Sequence, residues 1–163
     1  MRTRSIRLLA LTFMLLCTSA RAEDPQELPS YVLLQDSFVT ADKAAAEVVF
    51  YTYDDKVAAA KLKGFGAQWP KEFNFPQGSL FVIVVSGHTK ESFASMSAVK
   101  SSKTFIVNLQ TDKDTEQPKP AAEGKKNVRL LLIGCPPIRG IKAWMIKTAD
   151  AKVHTVEGAE LKK

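Results

Sequence analysis

The hydrophobic positions of this chain fall into short runs separated by polar turns that carry glycine and proline. Leu80 to Val85 (LFVIVV) is apolar at every position, the pattern of a strand buried on both faces. Val48 to Tyr53 (VVFYTY) is almost wholly β-branched or aromatic. Thr104 to Leu109, Val128 to Ile133 and Ile141 to Lys147 carry the same strand signal. Tyr31 to Leu34, Phe93 to Val99 and Val153 to Val156 read as shorter or weaker strands. One segment departs from the pattern. Asp54-Asp55, then KVAAAKLK, then Gly64 supplies the cap, alanine-rich interior, terminal lysine and closing glycine of a helix, placed at 55–63. Ala58 with Leu62, and Val57 with Lys61, stand at i,i+4 and give the helix a stripe to set against a sheet.

The connections are as telling as the runs. Residues 64–78 (GFGAQWPKEFNFPQG) are rich in aromatics and prolines, and KSSK at 100–103 has the length of a hairpin turn. Residues 111–127 hold no large apolar side chain and read as a mobile surface loop. Gly134 to Gly140 (GCPPIRG) reads as a turn, because two prolines cannot donate to a ladder. The expected fold class is therefore α+β, mostly β. It is an antiparallel sheet of about six or seven strands, closed as a sandwich or half-barrel, with one short helix at 55–63.

The chain opens with Arg2, Arg4 and Arg7, then a ten-residue apolar stretch from Leu8 to Cys17, then Ala20-Arg21-Ala22. A membrane-spanning helix needs about 20 apolar residues. This pattern is instead that of a cleavable export signal, cut after Ala22. The organisation read from the sequence is signal peptide 1–22, a loose leader 23–30, a single β-rich domain 31–157 and a tail 158–163. The expected location is periplasmic or extracellular, with no stable membrane anchor.

Cleavage changes the charge picture. The whole chain has 23 basic and 17 acidic residues, a net +6, but four arginines lie in the signal, which has no acid, so the remainder is near +2. Its lysines are scattered, so nucleic acid is not an expected partner. Cys17 leaves with the signal and Cys135 stays alone, so the mature chain has no internal disulfide.

No complete catalytic or metal-binding constellation is written in the sequence and no cofactor is implied; the expectation is an exported non-enzymatic binding or accessory domain, with a small redox or metal-binding protein using Cys135 as the alternative. Cys135 is a candidate reactive thiol, set against the commoner role of a small residue capping a buried strand end. His88, Cys135, Met145 and His154 supply the residue types of a blue-copper centre, but no histidine falls between Cys135 and Met145 as the copper loop requires. Ser86-Gly87-His88 lacks the surroundings of a nucleophile elbow. Asp54-Asp55 reads as a helix cap rather than a cation site. Trp69, Phe73 and Phe75 are the candidate binding platform, set against the alternative that they cover a core edge.

The run FNFPQGS at 73–79, followed by LFVIVVSGHTK, two further strands, a charged loop and the pair VRLLLIG and IKAWMIK, resembles the PrcB-like domain family over about residues 45–148. HTKESFAS stands where that family has a glycine-rich turn, and Asn74 where an acid is usual. The resemblance implies an exported β-rich domain with a non-catalytic role supporting an extracellular protease complex. It implies no catalytic residues. The expected partner is another exported protein, engaged through a sheet edge or the Trp69–Phe75 connection.

Overall fold

The computed structural model describes residues 23–40, 47–71, 75–113 and 120–162. The signal segment, Phe73 and the middle of the charged loop expected at 111–127 lie outside the described residues. Nine strands and one helix follow in the order β1 (Gln26–Leu28), β2 (Tyr31–Thr40), β3 (Val48–Thr52), α1 (Asp55–Gly64), β4 (Leu80–Ser86), β5 (Glu91–Val99), β6 (Thr104–Thr111), β7 (Lys126–Cys135), β8 (Ala143–Lys147) and β9 (Val153–Glu160). The strands form one sheet, ordered β1-β5-β6-β8-β9-β3-β4-β7-β2.

The mostly-β architecture with one short helix and a curled half-barrel agrees with the sequence reading. The closed antiparallel sandwich of six or seven strands does not. The sheet is open and mixed: β6 pairs with β8 in parallel, and so does β3 with β9. Strand β7 crosses to the far half of the sheet, between β4 and β2. The chain must therefore return beside β6 in the direction β6 already runs. The ends also differ from the loose leader and tail. Residues 26–28 pair with β5, and β9 continues to Glu160 alongside Tyr51. Gly134 and Cys135, read as a turn, complete β7 opposite Phe81 and Leu80.

Two cores lie on the two faces of β4 and β7. Leu80, Val82 and Val84 point with Leu131, Ile133 and Cys135 into the hollow of the curl, where Trp144, Phe105 and Met96 meet them. Phe81, Ile83 and Val85 point the other way with Val128, Leu130 and Leu132, and Ala58 and Leu62 of α1 cover them. This alternation explains the unbroken run LFVIVV. Each face is buried, and each full burial of such a side chain contributes about 1.5–3 kcal/mol. Asp54 caps α1 as expected, its Oδ1 accepting from the N–H of Lys56 at 2.9 Å and of Val57 at 3.2 Å.

Strands β1 and β2 are consecutive, yet they hold opposite edges of the sheet. Side chains stitch the remaining gap. Gln35 Oε1 accepts from Phe93 N at 3.3 Å, and Gln35 Nε2 donates to Asp112 at 3.4 Å. Arg129, 4% exposed, donates to the carbonyls of Glu91 and Thr89 at 3.2 and 3.0 Å and lies 3.5 Å from Asp112.

Candidate ligand pocket

Phe65, Ala67 and Trp69 on one described stretch, and Phe75 on the other, pack over the outer face of the sheet. The ring of Phe81 is the centre of the arrangement: Trp69 and Phe75 each meet it edge-on at 5.3 Å between centroids. Phe75 can come so close because residue 134 is glycine. A Cβ there would stand 2.8 Å from Phe75 Cε1. Between these rings and the start of α1 lies a cavity of about 410 Å³, lined by Tyr53, Asp54, Asp55, Trp69, Phe75 and Gln77 among others. Tyr53 forms its wall, held by a 2.5 Å bond from its hydroxyl to the carbonyl of Ile138. Burial pushes the Tyr53 hydroxyl above the usual phenol range. Trp69 and Phe75 are half-buried, so they both cover the outer core and line the cavity.

Two of the three predicted platform residues therefore share a pocket. Tyr53, Phe81 and Gln77 were not among the residues singled out from the sequence. Their signal is faint: Phe81 belongs to the outward-facing set of an unbroken apolar run, and only the face alternation separates it from the inner core.

The thiol and metal candidates fare differently. Cys135 is 3% exposed, its Sγ lies 3.6 Å from the carbonyl of Leu80, and burial pushes its pKa up to about 12. A nucleophile or metal ligand needs the thiolate, and this environment opposes it. Cys135 pairs with Leu80 at one end of β4, whereas His88 follows Ser86 at the other. At 3.3 Å per residue the two are separated by about 20 Å or more. Met145 and His154 belong to adjacent cross-strand pairs, Met145 with Thr155 and His154 with Ile146, so their side chains leave opposite faces of the sheet. The four residues of the copper alternative are thus not one site. The structure does bring the two histidines together, with ring centroids 5.9 Å apart. His88 Nε2 lies 2.5 Å from Glu47, and His88 Nδ1 lies 4.0 Å from Glu91. No group of three His, Cys, Asp or Glu among the described residues is arranged to hold a metal ion. Ser86 Oγ accepts from the backbone N–H of His88, which makes it a turn residue.

No helix among the described residues is long and apolar enough to cross a membrane. In comparison with known proteins, no family model, no curated sequence and no solved structure matches the chain.

Proposed function

We propose that this chain is an exported, non-catalytic binding or accessory domain whose ligand surface is the pocket between Trp69, Phe75 and the start of α1. The single observation that carries the reading is that pocket. It has about 410 Å³ of space, three aromatic side chains on one side and two carboxylates on its rim. Its volume falls within the range of about 300 to 1,000 Å³ of small-ligand sites. Two further features support the class. The first 22 residues have the form of an export signal, and the order of elements resembles that of the PrcB-like accessory domains. The partner on this reading is another exported protein.

A photo-crosslinking residue in place of Gln77, at the pocket wall, tests the proposal in the native host. The expected result is a protein adduct that Trp69→Ala removes. An adduct indifferent to Trp69→Ala, or none at all, counts against it. Export is checked separately by intact mass, which should place the mature N-terminus at Glu23.

A further inference from the structure

Trp69 lines two hollows rather than one. On one side is the cavity with Asp54 and Asp55; on the other is a shallower depression of about 490 Å³, bordered by Lys63 and Lys71 and floored in part by Ala59 and Ala67. The indole is the shared wall between an acidic hollow and a basic one. Helix α1 runs past both, with Asp55 in its first turn and Lys63 in its last.

Acids at a helix start and lysines at its end also suit the helix dipole, so those two residues alone decide nothing. Lys71 is different. It lies beyond the helix, in the proline-rich connection, and still adds its charge to the Lys63 side. The acidic hollow is also walled by Trp69, Tyr53 and Phe75, and aromatic faces attract a cation. Lys56 lines the same hollow, where Asp54 is engaged as the helix cap and Asp55 follows it in the first turn.

Resting on the binding-domain reading above, we propose that the two hollows together take one extended peptide segment. It carries a cationic side chain toward Asp55, an apolar residue on the indole of Trp69 and a carboxylate toward Lys63 and Lys71. The spacing follows from the helix. Eight residues separate Asp55 from Lys63, a rise of about 12 Å. An extended chain covers that distance in about four residues. The ligand is therefore a strand-like segment with opposite charges four positions apart, drawn from the partner protein.

Four acetylated and amidated pentapeptides test this: Lys-Pro-Leu-Pro-Glu, and its analogues with lysine at both ends, glutamate at both ends or glutamine at both ends. Each is titrated against the mature protein while tryptophan fluorescence is followed. Trp144 is 2% exposed and supplies a constant background, and Trp69→Phe supplies the blank. The mixed-charge peptide should bind about two- to fivefold more tightly than each analogue for every exposed charge pair it gains. In the double variant K63E/K71E, both hollows are acidic, and the preference should move to the peptide with two lysines. Equal affinities for all four peptides, no fluorescence change with any of them, or an unchanged order in K63E/K71E would overturn the proposal. If that happens while the Trp69-dependent crosslink persists, the binding domain stands and only its ligand chemistry falls. If both fail, the pocket reading falls as well.

Discussion

The β4–β7 pair has two ends, and they are built on opposite principles. At the Leu80–Cys135 end the inner face is apolar, closed by a buried thiol, and the outer face carries the Trp69–Phe81–Phe75 rings and the pocket. At the Ser86–Arg129 end the inner face turns polar. There a buried guanidinium, a carboxylate, two carbonyls and a histidine pair hold the turns together. The buried guanidinium of this end therefore finds its partners within the protein. The cavity of about 410 Å³ lies at the other end. The charged and polar side chains at the Arg129 end stand in for the hydrogen bonds that an open sheet lacks between β2 and β5.

Arg129 is the sharpest point on which to break that contrast. Arg129→Met keeps the length and removes the donors to the Glu91 and Thr89 carbonyls. Removing one member of a buried ionic network costs about 3–5 kcal/mol. Urea denaturation should show a loss of about 3 kcal/mol on that scale, with the Trp69 pocket unchanged in the folded fraction. A loss below about 1 kcal/mol, the value of an exposed pair, would mean that the seam is not held by this residue.

At the apolar end the matching test is Gly134→Ala. The added Cβ meets Phe75 at 2.8 Å and Leu33 at 3.3 Å, so the Phe75 ring must move off Phe81. Overpacking of this kind costs about 1–3 kcal/mol. The pocket should change with it, read as a shift in Trp69 emission, because Phe75 and Trp69 share Phe81 as their contact. Destabilisation without any change in emission would separate the Phe75 packing from the pocket.

The same contrast explains which parts of the molecule were legible beforehand. Leu80 to Val85 announced itself because both its faces are buried, and α1 because Asp54, the alanines and Gly64 all point to one local structure. Strand β1 (QEL) and the end of β9 (EGAE) carried no alternation, because their backbones are recruited by Met96–Ala98 and by Val48–Tyr51 while Gln26, Glu27, Glu157 and Glu160 are exposed. The two parallel pairings depend on where β7 crosses, which no local pattern records. For the site, Trp69 and Phe75 stood out as aromatics beside prolines. Tyr53 and Phe81 were hidden inside strand runs, and Arg129, the one charge within VRLLLI, was legible in principle as a break in an apolar run.

The Cys135 thiol gives a pH test of the apolar end. Its pKa rises from 9.0 to about 12 through burial. Below pH 9 the thiol is neutral in both the folded and unfolded chain, and its contribution to stability is fully present. Between pH 9 and about 12 the unfolded chain ionises and the folded one does not, so this contribution falls as pH rises. Tyr51 and Tyr53, also raised by burial, act in the same direction at higher pH. Thermal melts of wild type and Cys135→Ala should therefore converge as the pH is raised from 9 toward 12. Parallel curves would show that Cys135 is reached by water in the folded protein.

The smallest effect is expected from Gly87→Ala at the polar end, and its smallness is the point. Among the described residues the new Cβ would meet Lys126 alone, with Nζ at 3.0 Å and Cε at 3.2 Å. Lys126 is exposed, so its ammonium can swing into water at little cost. The closest approach is nearly that of Gly134 to Phe75, yet the neighbour there is a packed ring and here it is the free end of a side chain. The stability change for Gly87→Ala should stay within about 0.5 kcal/mol, the usual range for a surface substitution. A cost equal to that of Gly134→Ala would show that Lys126 is fixed over the β4–β5 turn, and that the polar end is packed as tightly as the apolar one.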